Sequence, residues 1–239
     1  MLTQEDLQQL AKKGISEQQV ALQLEQFKNG FPYLRIEAAA SVGHGIMHID
    51  DESRKGYVKL WNDYKAKGQR IVKFVPASGA ASRMFKDMFT FLDAPYQSPQ
   101  TDFEKQFFDQ IHHFAFFDLL DDTCKANEGK GVDQLVSENR YKAVVANMLD
   151  EKGMNYGQLP KGLLLFHKYP EGARTPMEEH LVEGALYAAS NGQSYVHFTV
   201  SHEHKALFEK RVTEKLEGYA KRYGVTYHVS FSEQQPNTD

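Results

Sequence analysis

A run of small residues follows the first strongly β-branched segment and is the strongest candidate for a binding site. After IVKFVPA come Ser78, Gly79, Ala80, Ala81 and Ser82, here called the small-residue loop. Backbone N–H groups in such a turn can approach a phosphate closely, and the start of a following helix attracts anions. Arg83, just inside that predicted helix, would add a fixed cationic fork. Alternatively, small residues only allow tight packing between a strand and a helix.

A second candidate is Lys161, in the sequence Pro160-Lys161-Gly162 before a predicted strand. Its ammonium group could project toward the same end of the sheet as the small-residue loop. The alternative is a solvated surface lysine, which is the common situation for a single lysine.

A third segment, FHKYPEGARTPMEEHLVEG, concentrates groups that could act as acids, bases or metal ligands. Thr175, Pro176 and Glu178 form a capping box with proline at the first helical position, which explains Glu178 without function. The dense polarity that remains predicts a second cluster, for which the alternative is a solvated acidic helix face with an incidental histidine. Its members are His167, Arg174, Glu179, His180 and Glu183.

Several familiar motifs are missing from the sequence. There is no P-loop, no G-x-G-x-x-G and no G-x-S-x-G, and the other histidine pairs have no third ligand at a zinc spacing. The single cysteine, Cys124, lies in a polar stretch without an activating partner. The pattern gives no support to a structural metal or to covalent catalysis, and the identity of any metal ligand stays open.

The elements that must position these residues alternate between strands and helices. Strands are predicted near 71–77, 162–169, 194–200 and 226–232, and helices near 102–124, 131–150, 176–190 and 203–222. Such alternation predicts an α/β fold, a mostly parallel sheet with helices on both faces.

The domain organisation predicted from the sequence has two parts. Residues 1–68 form a helical N-terminal appendage, with a helix over 3–28 broken at Gly14 and another over 52–67. Residues 69–239 form an α/β nucleotide-binding-like domain with a helical insertion at about 100–150. The sheet ends on its fourth predicted strand, so we expect a fragment of a larger fold and self-association through an exposed sheet edge.

Composition narrows the partners and the location. With 28 Lys and Arg against 32 Asp and Glu, the formal net charge is −4, which argues against nucleic acid or an anionic membrane as partner. The apolar runs fall far short of a membrane span, and the N-terminus is not typical of a signal peptide. We expect a cytoplasmic protein.

Two stretches carry a resemblance to known families. KFVPASGAASRMF resembles the signature that opens the catalytic domain of nucleotide-sugar pyrophosphorylases, a strand followed by LxGGxGTRxG, with Gly79 on a glycine and Ser82-Arg83 on the Thr-Arg. Pro160-Lys161-Gly162 is similar to the PKG of the UDP-sugar pyrophosphorylases. More closely, VPASGAASRMF and RTPMEEHLVEG resemble an uncharacterised bacterial family, a domain of unknown function with longer members.

The resemblance implies the N-terminal half of a nucleotide-diphospho-sugar-transferase-like fold, with Mg²⁺ as cofactor. It assigns the small-residue loop to nucleotide phosphates, Arg83 to the leaving pyrophosphate and Lys161 to the α-phosphate. The His167 to His180 segment has no counterpart in the pyrophosphorylases and marks a change of substrate or chemistry.

Three functions remain open at this point. The first is a nucleotidyltransferase-like domain that binds a nucleoside triphosphate or nucleotide sugar with Mg²⁺ and transfers a nucleotidyl group to a sugar phosphate. The second is a catalytically silent nucleotide-binding or interaction module. The third is a metal-dependent hydrolase centred on His167, Glu179, His180 and Glu183.

Overall fold

The computed structural model describes residues 2–235, whose contacts divide the chain into two units. One unit includes residues 2–63, and the other comprises residues 64–234. About half of the chain is helical and the strands are short and mostly parallel, so the fold is α/β in the broad sense.

The first unit holds two short helices, a pair of two-residue strands and most of a third helix. These elements are α1 (Gln4–Lys12), α2 (Glu17–Asn29), β1 (Ser41–Val42), β2 (Gly45–Ile46) and α3 (Asp51–Ala66). Thr3 caps α1 in a capping box and Ser16 caps α2. The predicted break at Gly14 is confirmed, because this residue adopts a left-handed φ of 66° between the two helices.

The second unit contains a three-stranded sheet, a two-stranded hairpin and seven α-helices. In chain order it contains β3 (Val72–Pro76), α4 (Lys86–Asp93), α5 (Asp102–Asp109), α6 (Phe117–Glu128), α7 (Val132–Ser137), α8 (Tyr141–Leu149), β4 (His167–Tyr169), β5 (Gly172–Arg174), α9 (Pro176–Tyr187), β6 (Gln193–Val200), α10 (Lys205–Tyr223) and β7 (Thr226–Glu233).

The sheet has the order β3-β6-β7, and all of its strands are parallel. Val75, Phe198 and Phe231 are in register across it and point to the same face. This face packs against α9 and α10 to form one of the two cores of the unit. Each later strand therefore pairs on the outer side of the one before it, and a helix precedes β6 and another precedes β7.

The predicted helices on both faces are not found within residues 64–234. Phe74 and Val72, on the face opposite α9 and α10, are 62% and 46% exposed. Right-handed crossovers in a sheet that grows in one direction place their helices on the same side, which explains the one-sided cover.

The second core lies in the helical part between β3 and β6, where α4 to α8 pack around large apolar side chains. The sequence predicts two long helices here, at 102–124 and 131–150. The structure divides each of them: a 3₁₀ turn over Ile111–His113 separates α5 from α6, and residues 138–140 separate α7 from α8. Compact packing of several short helices around one core requires these turns.

The strand predicted at 162–169 is wrong. A 3₁₀ turn over Lys161–Leu163 is followed by extended chain, and only His167–Tyr169 pairs, in a hairpin with Gly172–Arg174. The physical reason is that Leu163 is buried in the sheet core and Leu164 in the helical core. The segment therefore joins the two cores and does not extend the sheet.

The contact between α9 and β6 depends on the lack of a side chain at Gly184. A Cβ at this position would lie 2.9 Å from Ser194 Oγ and from Val196 Cγ2. We expect Gly184→Ala to lower the free energy of unfolding by about 1–2 kcal/mol, because overpacking outweighs the gain in helix propensity. Urea denaturation followed by circular dichroism measures this change.

Gly218 in α10 is the matched control, because a Cβ there meets no atom within 4 Å. Gly218→Ala should raise the free energy of unfolding by up to about 1 kcal/mol. Equal effects of the two substitutions would contradict the close packing of α9 on β6.

Candidate functional site

Backbone hydrogen bonds hold the small-residue loop and the Lys161 segment together. Ala80 forms an antiparallel bridge with Pro160, and the N–H of Lys161 donates to the carbonyl of Gly79 at 3.1 Å. The first two candidate segments are therefore neighbours in space, although all of α4 to α8 separates them along the chain.

A cavity of about 180 Å³ lies beside this pairing, and we call it the edge cavity. Pro76 at the end of β3 and Pro176 at the start of α9 line it, which places it where the parallel strands end. Gly79, Lys161 and His180 also line it. Ligands of open α/β sheets bind at this edge. The first turn of α9 also lies here, and its capping box places the Glu178 carboxylate on the N–H of Thr175.

The small-residue loop does not expose all of its members equally. Gly79, Ala80 and Ser82 are exposed and Ser78 is half-buried, whereas Ala81 is fully buried in the helical core. The side chain of Ala81 is therefore unavailable to a ligand, and the exposed backbone of the loop lies around Gly79.

Arg83 is exposed, but its predicted position inside an α-helix is wrong. It lies in a 3₁₀ turn over Ser82–Phe85, and α4 begins only at Lys86. Ala81, just before this turn, and Phe85, its last residue, are both buried, and Met84 N–H donates to the Ala81 carbonyl in the tighter helix. The helix N-terminus at the edge cavity is consequently that of α9.

Lys161 and Arg83 both lack a carboxylate partner among residues 2–235. Lys161 is exposed and lines the edge cavity, so its ammonium group can contact an anion there. Arg83 follows the small-residue loop directly and is also exposed.

The second predicted cluster divides into two sets of contacts, of which one reaches the edge cavity. His180 Nδ1 donates to Glu183 Oε2 at 3.0 Å, and Lys73 Nζ donates to the same oxygen at 2.7 Å. Lys73 also donates to the hydroxyl of Tyr187 at 2.7 Å. This chain of polar groups runs from β3 to the ring of His180 in the cavity wall.

Electrostatics keep both members of the Lys73–Glu183 pair charged. Burial disfavours the charge on Glu183, but hydrogen bonds from Lys73 and His180 outweigh it and hold the pKa of this carboxyl below its usual value. Burial also opposes the charge on Lys73, and its bonds to Glu183 and Tyr187 outweigh that effect, so the pKa of Lys73 is raised. An ionised Glu183 fixes the orientation of the His180 ring.

The other set joins His167, Arg174 and Glu179, outside the wall of the edge cavity. Arg174 is buried, donates to Glu179 at 3.3 Å and to Glu171 at 2.7 Å, and lies 4.0 Å from the centre of the Tyr169 ring. His167 Nδ1 donates to Glu179 at 3.2 Å. A backbone hydrogen bond and ion pairs with two arginines lower the pKa of Glu171 to about 2. These charges are satisfied by one another and hold the β4–β5 hairpin against α9.

Sequence reasoning missed Lys73 and Tyr187. The signal for Lys73 is the period of two in β3, because Lys73 alternates with Phe74 and shares the covered face with Val75. A lysine on the inward face of a strand requires a partner, and Glu183 supplies it.

The described residues do not fit a metal held by the protein alone. No group of three His, Cys, Asp or Glu side chains within residues 2–235 is arranged to hold an ion. His167 and Glu179 belong to one set of contacts and His180 and Glu183 to another, so these four residues do not form the single ligand group that the metal-dependent hydrolase requires.

Two further observations concern reactivity and membranes. Cys124 is fully buried, and burial raises the pKa of its thiol to about 11, so the thiolate is disfavoured. No helix within residues 2–235 combines the length and apolar character that a membrane span requires.

The contribution of the Lys73–Glu183 ion pair to stability can be tested by removing the charge of Glu183. The Lys73 side chain is only 14% exposed, so Glu183→Gln leaves a nearly buried ammonium group without a counter-charge. We expect the free energy of unfolding at pH 7 to fall by about 1–2 kcal/mol, between the values for exposed and buried pairs.

The pH dependence has a defined sign. Because the pKa of Glu183 is lowered in the folded state, its contribution is complete above the usual value of 4.5 and is lost as the pH falls through the folded value. Denaturation at pH 7, 5 and 3 should therefore show a difference from the unmodified protein that narrows below pH 4.5. Glu217→Gln, at an exposed position of α10, should show no comparable effect.

Comparison with known proteins gives one result that covers almost the whole chain. The model of a family described as a domain of unknown function (DUF4301) matches residues 3–239. The comparisons with curated proteins and with solved structures give no match. The resemblance to a family of domains of unknown function is confirmed, and the chain belongs to the DUF4301 family.

Proposed function

We propose that the α/β unit binds the phosphate groups of a nucleoside triphosphate or nucleotide sugar in the edge cavity. The observation that carries this function is the backbone pairing of Gly79 with Lys161, which brings a lysine without an ion pair among residues 2–235 beside a loop of small residues. The function is the one that the resemblance of both segments to the nucleotide-sugar pyrophosphorylases implies.

Two features of the edge cavity favour an anion over a neutral ligand. The exposed loop around Gly79 allows close backbone approach, and Lys161 contributes a positive charge. Arg83 would meet a terminal phosphate that extends from the cavity, where its planar fork suits two phosphate oxygens.

The volume of the edge cavity sets which part of the ligand enters it. Sites for whole drug-sized ligands enclose about 300–1,000 Å³, whereas this cavity encloses about 180 Å³. It therefore suits phosphate groups, and the base and sugar would lie outside it.

In the transfer reaction, an oxygen of a sugar phosphate attacks the α-phosphorus, a new P–O bond forms, and the bond to pyrophosphate breaks. Lys161 would neutralise the α-phosphate and Arg83 the departing pyrophosphate, as electrostatic catalysis of phosphoryl transfer requires. Since the described side chains do not form a metal cage, any Mg²⁺ would arrive on the phosphates, and we assign it no step.

A silent nucleotide-binding module is the second candidate. The small-residue loop has one glycine, and Ala81 turns into the helical core, so fewer backbone groups face the cavity than in a glycine-rich loop. Release of pyrophosphate from a bound triphosphate in the presence of sugar phosphates separates a transferase from a silent module.

The binding site is tested by removing one charge. Lys161→Ala should weaken binding of at least one of ATP, CTP, GTP and UTP by about 10- to 100-fold, since a charge-assisted hydrogen bond is worth about 1.5–3 kcal/mol. Titration calorimetry with and without Mg²⁺ measures the dissociation constants, and Arg83→Ala tests the second cation.

Lys221→Ala is the matched control, because it removes the same charge from the exposed C-terminal end of α10. Its nucleotide affinity should equal that of the unmodified protein. Equal affinity of the Lys161 variant, or no binding of any nucleotide by the unmodified protein, would contradict the proposed site.

A further inference from the structure

A second and larger cavity lies in the helical part of the unit. It encloses about 380 Å³, and its walls come from the 3₁₀ turn before α4, from α4 and α5, from the turn before α6, and from Tyr156 and residues 164–166. We call it the aromatic cavity, because phenylalanine supplies most of its aromatic walls. None of the candidate residues of the small-residue loop or the His167 to Glu183 segment lines it.

The inner wall of the aromatic cavity is a rigid assembly of rings. Phe114 and Phe116 stack with ring centres 5.0 Å apart, Phe107 lies 5.3 Å from Phe114, and Tyr156 meets Phe116 edge-on at 5.6 Å. Phe107, Phe116 and Tyr156 are themselves buried. Such a wall is fixed before any ligand arrives, which reduces the entropy lost on binding.

Polar groups in the wall are few. The hydroxyl of Tyr156 already accepts a hydrogen bond from the N–H of Leu165 at 3.1 Å. His113 is exposed and therefore stands at the mouth of the cavity. A nucleobase or a sugar carries more polar groups than the Tyr156 hydroxyl and His113 can bond, so it would lose hydration at a cost that an apolar group does not incur.

The mouth of the aromatic cavity carries large apolar side chains. Met84, Phe103 and Phe166 are each 41–44% exposed, and all three line the same cavity. Single exposed apolar residues are ordinary, but a contiguous group around a deep apolar cavity marks a binding site.

We propose that the aromatic cavity binds an unbranched aliphatic chain, whose polar head remains at the mouth beside His113. An apolar cavity of about 150 Å³ already holds benzene, and this one has more than twice that volume. The chain fits the apolar inner wall, and the single polar residue at the mouth suits a hydrogen-bond acceptor such as a carboxylate. This site does not depend on phosphate binding in the edge cavity.

A series of fatty acids tests the proposed ligand class. Octanoate, decanoate and dodecanoate are titrated into the full chain by calorimetry, below the concentrations at which they aggregate. Affinity should rise about fourfold per added methylene until the cavity is full, because each buried CH₂ contributes a fixed transfer free energy. Absence of saturable binding, or an affinity independent of chain length, would overturn the proposed site.

A substitution in the wall locates the chain. Ala115 is buried and lines the cavity, so Ala115→Phe should fill it and weaken dodecanoate binding at least about tenfold. Ala126→Phe makes the same change at an exposed position of α6 and should bind dodecanoate normally.

A measurement on the unmodified protein covers the case in which the Ala115 variant does not fold. Nuclear Overhauser effects between the methylene protons of bound dodecanoate and the rings of Phe107 and Phe116 should be observed. Saturable binding with contacts to other residues only, or a folded Ala115 variant of unchanged affinity, would show that the chain binds elsewhere.

Discussion

The hydrogen bond from the N–H of Lys161 to the carbonyl of Gly79 fixes the geometry on which both cavities depend. The chain leaves the sheet after β3, forms α4 to α8 and returns to the point from which it departed. With both ends held there, the helical part packs around a core of its own. The segments on either side of this bond, 76–85 and 161–166, supply walls of the edge cavity and of the aromatic cavity.

The order of the strands in the sheet is a second constraint, because it fixes the face on which the helices lie. Since β3, β6 and β7 follow one another in space as in sequence, α9 and α10 lie on the same face. That face therefore carries Val196, Phe198 and Val200, whereas the other carries Tyr195, His197 and Thr199. Because α9 packs against this covered face of the sheet, the first turn of α9 and His180 lie at the ends of the strands. The edge cavity is formed there.

Patterns of a few adjacent residues predicted one helix start and three strands. The capping box at Thr175 marks the start of α9, and β-branched runs mark β3, β6 and β7. The segment 162–169 is as apolar as these strands, but it contributes side chains to both cores. Hydrophobic periodicity in a single sequence does not distinguish such a segment from a buried strand. The contact of Lys73 with Glu183 was missed because it joins residues distant in the chain. The position of Lys161 before a predicted strand suggested the same end of the sheet as the small-residue loop, and the resemblance assigned both to one ligand. No spacing predicts the backbone bond between Gly79 and Lys161.

The pairing of charges separates positions that stabilise the fold from positions that can meet a ligand. Arg174 is surrounded by Glu171, Glu179 and an aromatic ring, so a ligand that recruited it would first have to break these contacts. Lys73 is committed to Glu183 in the same way. Lys161 lines the edge cavity and forms no ion pair with a carboxylate among residues 2–235, so an anion there would not have to displace one. The difference in pairing, more than the number of charged residues, is why the proposed anion site is the edge cavity and not the Arg174 cluster.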